Sequence, residues 1–246
     1  IPYHLINILD PIEDYSVYQF QQDFYHSVEK IKINGRLPIL CGGTGLYLDS
    51  VLLDYKFEPI LADNQLREDL EKKSKEELLI YFENIDARLY SEWPLDTKRR
   101  IIRGIELALA GGTPQTKSQP RDLSRTCIIG IQSPREIIRQ RITQRLQQRI
   151  YGGMIEEVES LISNGLPKVR LNYFGLEYKF VCSYLDGKLS KSEMFEFLNI
   201  AIHQFAKRQR SWFRRMEKRG IKIHWVDNGS VEYSLKIIQS YNELIP

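Results

Sequence analysis

The chain is poor in cysteine and has no long apolar run. Its three cysteines, Cys41, Cys127 and Cys182, are odd in number and widely spaced. They form neither a zinc signature nor a disulfide framework, which points to a reducing, cytosolic setting. No stretch approaches the roughly eighteen consecutive apolar residues of a membrane span. Internal repeats and low-complexity tracts are absent, and the four histidines are scattered, so no Ser/His/Asp or Cys/His arrangement can be built. Asp10, Glu13 and Asp14 gather near a turn but lack metal-ligand spacing. What remains is ordinary globular composition. The 246 residues are 42% hydrophobic and 27% charged, enough for a sizeable core in one large domain, or one domain with an insertion.

The net charge of +3 says little about partners, but the placement of the charge says more. Lys98, Arg99, Arg100 and Arg103 form one basic cluster. Arg135, Arg139, Arg141, Arg145 and Arg149 form a second. Lys207, Arg208, Arg210, Arg214, Arg215, Lys218 and Arg219 form a third, opposed only by Glu217. Clustering of this kind suits a polyanion-binding face. The chain opens Ile1-Pro2-Tyr3-His4, with neither an initiator methionine nor a targeting pattern, and reads as if it begins mid-protein.

Local patterns predict strands separated by helices, hence α/β with a mostly parallel sheet. Ser16 is placed to cap a helix reaching Ile33, with Val17, Phe20, Phe24 and Val28 on one face. Residues 37–41 (L-P-I-L-C) read as a short buried strand, 42–45 as a glycine turn and 46–53 as a helix. Residues 57–122 read as an amphipathic helical insertion ending in a turn-rich stretch, between core segments 1–56 and 123–246. Residues 126–131 read as a second buried strand, followed by an arginine-rich helix through Arg149. Further helices are expected over 154–161 and 173–184. A long helix is expected over 192–219, with Phe195, Leu198, Ile202, Phe205, Trp212 and Phe213 inward. Residues 221–226 alternate as a strand, and a last helix starts near Val231.

Three motifs carry possible chemistry. The turn Gly42-Gly43-Thr44-Gly45, between a strand and a helix start, can offer backbone N–H groups and a hydroxyl to an anion or a base edge. It can equally be a plain structural turn. Arg141 and Arg145 lie four residues apart on one helix face, where two guanidinium groups suit a diphosphate or simply a solvated surface. Residues 206–214 (A-K-R-Q-R-S-W-F-R) interleave cations and aromatics. The cations can hold phosphates, while Trp212 and Phe213 read better as core than as stacking platforms.

Taken in order, these segments resemble one family. P-Y-H-L-I-N-I-L-D-P at 2–11, S-V-Y-Q-F at 16–20, P-I-L-C-G-G-T-G-L-Y-L at 38–48 and R-R-I-I-R-G-I-E at 99–106 are similar to the tRNA dimethylallyltransferases, or tRNA isopentenyltransferases. So are R-I-T-Q-R at 141–145, G-M-I-E-E-V at 153–158 and A-K-R-Q-R-S-W-F-R at 206–214. The resemblance implies a P-loop NTPase-like, nucleotide-binding α/β core with a helical insertion. It implies transfer of a dimethylallyl group from dimethylallyl diphosphate to N6 of the adenosine 3′ of the anticodon, with Mg²⁺. The partners would be the tRNA anticodon stem-loop and the allylic diphosphate, and the protein a cytoplasmic monomer with no membrane attachment.

Residue by residue, Arg145 resembles the family's catalytic arginine, holding the diphosphate as the allylic C–O bond breaks. Thr44 resembles the residue lining the channel for the flipped base, and Arg67 a tRNA contact. Arg99, Arg100 and Arg103 resemble a tRNA-contacting segment, and Lys207, Arg208, Arg210 and Arg214 the basic helix near the RNA. Arg141, Gly42 and Gly43 are secondary diphosphate candidates.

The sequence departs from the family in three places. The family's phosphate-binding loop and its catalytic aspartate precede the point where this chain starts, so the polypeptide alone is expected not to catalyse transfer. Ile202-His203-Gln204 replaces the usual Thr-Arg-Gln, and Gly175-Leu176-Glu177-Tyr178-Lys179 is two residues longer than the family's G-Y-K/R segment. Both suggest a divergent branch with altered tRNA choice. Two competing readings are a sibling enzyme that prenylates free adenine nucleotides and a non-catalytic RNA-binding relative.

Overall fold

A computed structural model describes residues 1–57, 63–112 and 122–242. The elements run α1 (Val17–Ile33), α2 (Gly45–Leu52), α3 (Asn64–Glu71), α4 (Lys75–Ile85), α5 (Ala87–Glu92), α6 (Lys98–Leu109), β1 (Ile129–Gln132), α7 (Arg135–Tyr151), α8 (Met154–Ser163), α9 (Lys168–Phe174), α10 (Leu176–Leu185), α11 (Lys191–Lys218), β2 (His224–Asp227) and α12 (Val231–Asn242). The chain divides into two compact units, Leu53–Gln119 and the remainder, Ile1–Leu52 with Pro120–Pro246. The turn-rich stretch expected near 111–120 lies largely outside the described residues.

In the larger unit, β1 and β2 pair in parallel, with Ile129 opposite His224 and Gln132 opposite Asp227. A parallel pair needs a long crossover, and α7 to α11 supply it. The fold is therefore α/β with a small parallel sheet. The core of this unit lies between the crossover helices: Leu146 and Ile150 of α7, Met154 and Val158 of α8, Leu171 of α9, Val181 of α10, and Met194 and Leu198 of α11. Local signals explain where the helices begin. Ser16 accepts from Gln19 N while the Gln19 side chain returns to Ser16 N, and Ser190 does the same with Glu193, satisfying N–H groups that a helix start leaves bare.

The smaller unit is helical. Its core joins Leu70, Leu78, Phe82, Leu89, Ile101, Ile102, Ile105 and Leu107. Gly104 is required here. A Cβ at that position would lie 2.5 Å from the Phe82 ring and 2.8 Å from Trp93, so only glycine lets α6 approach α4 this closely.

Four sequence expectations need correction. Residues 37–41 are not a buried strand. They carry no strand pairing, and Leu37 and Ile39 are 77% and 75% exposed. A strand requires a ladder partner for its N–H and C=O groups, and among the described residues β1 and β2 pair only with each other. The strand expected at 126–131 is shorter and shifted to Ile129–Gln132, with Ile131 exposed. The helix expected over 173–184 is two helices, α9 and α10. They break at Gly175, whose φ of 147° is incompatible with a continuing helix. Phe205 is not inward. It is 48% exposed, with the Arg208 guanidinium 5.9 Å from its ring centroid.

Candidate functional site

The glycine turn is built into the larger unit from two sides. The Thr44 carbonyl accepts from Tyr47 N and Leu48 N, at 3.0 and 3.1 Å, which makes Thr44 the entry residue of α2. Thr44 is exposed, and among the described residues its hydroxyl has no hydrogen-bond partner. On one side, α1 holds α2. Gln21 Nε2 donates to the Ser50 carbonyl at 2.6 Å, and the Phe20 and Tyr47 rings stack with centroids 4.3 Å apart. Burial, and then the neighbouring Tyr173, push the Tyr47 phenol above its usual pKa.

On the other side, α11 holds the turn. Gln209 Nε2 donates to the Gly43 carbonyl at 2.8 Å, and Trp212 Nε1 donates to Asp49 Oδ2 at 2.8 Å. Asp49 is fully buried. The contact leaves no room for side chains. A Cβ on Gly43 would lie 2.1 Å from Gln209 Nε2, and one on Gly45 2.3 to 2.5 Å from three Trp212 ring carbons. Gly43 and Gly45 are thus explained by the close approach of α11. Gly42 has open space around it.

The third basic cluster lies along α11. Gln204, Lys207, Arg208, Ser211, Trp212 and Arg215 line an open groove on it. Among the described residues the Lys207, Arg210 and Arg214 side chains have no acidic partner; all three are exposed. Arg210 and Arg214 are one turn apart, on the strip adjoining Lys207. The Arg215 guanidinium lies 4.0 Å from the Trp212 ring centroid. Trp212 is a half-buried packing residue with a polar edge, in line with the core reading.

Arg145 is exposed on α7 and has no hydrogen bond or ion pair among the described residues. Arg141 Nη1 reaches Ser133 Oγ at 3.4 Å, and Arg149 pairs with Glu157 at 3.4 Å. Helix α7 meets α11 at Thr143, whose hydroxyl donates to Asn199 Oδ1 at 3.1 Å. Arg145 and the glycine turn therefore share α11 as a support but do not touch. Asn199 and Gln209 are ten residues apart, about 15 Å along the helix. A second shallow groove between α7 and α11 is lined by Arg139, Gln140, Thr143, Gln144, Asn199 and His203. Burial, and then the charge of Arg139, hold the His203 imidazole below its usual pKa.

The first basic cluster belongs to the smaller unit. Arg67 Nε and Nη2 grip the two Glu106 oxygens at 2.6 and 3.0 Å, and Arg103 Nη1 reaches Glu106 Oε2 at 3.0 Å. The Glu106 side chain is buried, while both arginines stay partly exposed. Arg100 pairs with Asp96 at 2.7 Å, and Lys98 with Glu71 at 3.5 Å. Arg99 is exposed and unpaired among the described residues. Within the cluster of Lys98, Arg99, Arg100 and Arg103, Arg99 is the cation with no acidic partner among the described residues, while Arg100 and Arg103 are paired but partly exposed.

Sequence reasoning missed Asp49 and Gln209, and read Arg215 as a cluster cation without its place over Trp212 and beside Asp49. Their roles come from pairing across more than 150 residues, and the only local hint was a charged residue within an otherwise apolar α2.

Residues 1–216 match the family model described as IPP transferase. The chain belongs to the IPP transferase family. It is 47% identical over 230 residues to "tRNA dimethylallyltransferase 1" of Azobacteroides pseudotrichonymphae, covering 92% of this chain and 74% of the relative. It is also 47% identical over 228 residues to "tRNA dimethylallyltransferase 2" of Bacteroides fragilis, with the same coverage. Among solved structures it resembles a tRNA isopentenylpyrophosphate transferase from Bacillus halodurans, with TM-score 0.64 and 30% identity, covering 99% of this chain and 77% of that one. A eukaryotic dimethylallyltransferase acting on tRNA aligns with TM-score 0.76 at 19% identity, covering 100% and 67%, and supports the fold. Membership of the family makes the chain a prenyltransferase.

Proposed function

We propose that this chain modifies tRNA, moving a dimethylallyl group from dimethylallyl diphosphate to N6 of the adenosine 3′ of the anticodon. The observation that carries the reading is identity near one half, over nine-tenths of the chain, to relatives named for this reaction. In the reaction, N6 bonds to the allylic carbon, the carbon–oxygen bond to diphosphate breaks, and N6 loses one proton. Charge builds on the leaving diphosphate, so a preorganised cation there lowers the barrier. Arg145 has that role in this reading, and its side chain is held by no internal acid. Arg141 and the turn at Gly42 and Gly43 assist.

The acceptor base must leave its stack to react, and the free Thr44 hydroxyl meets it. Lys207, Arg208, Arg210 and Arg214 hold RNA phosphates along α11, with Arg67, Arg99, Arg100 and Arg103 adding contacts from the smaller unit. The reading includes a P-loop-type core, supported by the parallel β1–β2 pair and its helical crossover.

Mg²⁺ would neutralise diphosphate charge when bound. Among the described residues no group of three or more His, Cys, Asp or Glu could hold a metal ion, so these residues do not form a cage for it. Magnesium commonly keeps most of its water and rides on substrate phosphates, and no step here is assigned to it. In this reading the enzyme acts in the cytoplasm as a monomer. No helix among the described residues is long and apolar enough to cross a membrane.

The test is to offer labelled dimethylallyl diphosphate and Mg²⁺ with either bulk tRNA or free adenine nucleotides. Label is expected in tRNA, with a steep loss of affinity as salt rises. Label in free nucleotide alone would replace the reading with the small-substrate one. Saturable tRNA binding without transfer would replace it with RNA binding alone.

A further inference from the structure

We propose that Asp49 is a positioning residue, fixing the geometry between the Thr44 turn and the basic groove of α11. This rests on the tRNA-prenylation reading above and adds to it a residue that contacts neither substrate.

Asp49 is the one fully buried acid of the described residues, at 0% exposure. It sits on the inner face of α2, one turn and one residue beyond Thr44. Its Oδ2 accepts the Trp212 indole N–H at 2.8 Å. The same oxygen lies 3.8 Å from Arg215 Nη2 and 3.6 Å from Arg219 Nη1. Trp212 and Arg215 are stacked on each other and both line the open groove with Lys207, Arg208 and Ser211. One buried carboxylate therefore orients two groove residues from beneath, while its own helix carries the turn with the free Thr44 hydroxyl.

Packing alone does not explain an acid here. Burying a charge is costly, and an apolar side chain of similar size often serves stability as well or better. What an apolar residue cannot do is hold the indole N–H and a stacked guanidinium in one orientation. Long cations on a helix surface otherwise sample many rotamers. Fixing Arg215 sets where a phosphate sits relative to Thr44. Gln209, bonded to the Gly43 carbonyl, holds the other end of the same contact.

The experiment compares the full gene product with its Asp49→Asn and Trp212→Phe variants, measuring kcat and KM for tRNA, melting temperature and tryptophan emission. Asparagine keeps an acceptor oxygen for Trp212 but removes the charge that faces Arg215 and Arg219. Phenylalanine keeps the ring and removes the donor. Misplacement by about an ångström can cost about 10²-fold in rate, so kcat should fall roughly 10- to 100-fold in both variants. KM for tRNA should not rise, because Asp49→Asn removes a negative charge beside the phosphate groove. The double variant should lose little more than either single one, since both act through one contact.

A variant that melts earlier but keeps the wild-type kcat per folded molecule would overturn the proposal, reducing Asp49 to a packing residue. A rise in KM with kcat unchanged would also overturn it. If Asp49→Asn does not fold, Trp212→Phe decides on the same split. A wild-type protein that transfers nothing to tRNA would instead refute the prenylation reading.

Discussion

The fit of the glycine turn against α11 can be tested by adding one methyl group at a time. In Gly45→Ala the new Cβ would sit 2.3 to 2.5 Å from Trp212 Cγ, Cδ1 and Cδ2, far inside the ~3.5–4.0 Å of a favourable carbon contact. The indole cannot simply recede, because Asp49 holds its N–H and Arg215 covers its face. Overpacking of this kind costs about 1–3 kcal/mol. Breaking a hydrogen bond to a charged group adds about 1.5–3 kcal/mol, and the better helix propensity of alanine returns about 1 kcal/mol. The net loss is about 1.5–5 kcal/mol, which for a chain of this size lowers Tm by roughly 3–20 °C.

Gly43→Ala meets only the movable end of Gln209 and should lose about 1 kcal/mol, the worth of one ordinary hydrogen bond. Gly42→Ala has nothing within 4 Å and should leave Tm unchanged. Circular dichroism melts of the three variants read the order directly, and the emission of Trp212 should shift only in Gly45→Ala. If Gly45→Ala melts with Gly42→Ala, the seating of α2 on α11 is not as described.

Three further outcomes are expected. Arg145→Ala should lower kcat by about 10²–10³, the usual worth of a donor at developing negative charge, with little change in tRNA affinity; equal losses in both would deny it the diphosphate. Arg99→Ala should flatten the dependence of log affinity on log salt by roughly 0.7–0.9, one phosphate contact, and Arg100→Ala by less, because Asp96 already engages Arg100; an unchanged slope in titrations from low to high salt would make Arg99 a solvated charge only. His203 has a folded pKa below the ordinary histidine value, so the unfolded chain takes up its proton first. Stability is then full above the unfolded value of about 6.5 and falls as pH drops through it. Melts at stepped pH should show this loss, and His203→Asn should reduce it.

Much of the helical framework was legible because its signals are local. Ser16 announced α1, and the Arg135–Arg149 run lay where α7 formed. The parallel pairing of β1 and β2 followed from strands separated by helices. Residues 37–41 misled because an apolar run looks like a strand whether or not a partner exists to complete its ladder.

The arginines of the smaller unit show the same limit in charge. Arg67 and Arg103 read as open cations, but Glu106, 39 residues from Arg67 along the chain, engages both. Asp49 was invisible for the same reason. Its meaning lies in Trp212, 163 residues away, and no window along the sequence contains both. The motif glycines were recognised, either as backbone donors to an anion or as a plain structural turn. The structure gives Gly43 and Gly45 another reason to be glycine, the clearance demanded by Gln209 and Trp212.

The measurement that tests the central claim most directly is mass analysis of tRNA nucleosides after reaction. The full gene product is incubated with dimethylallyl diphosphate, Mg²⁺ and unmodified tRNA, and the tRNA is then digested and its modified fragment mapped. The account predicts N6-dimethylallyladenosine, confined to the position 3′ of the anticodon. Adenosine left unmodified there, in tRNA that the protein demonstrably binds, would contradict it.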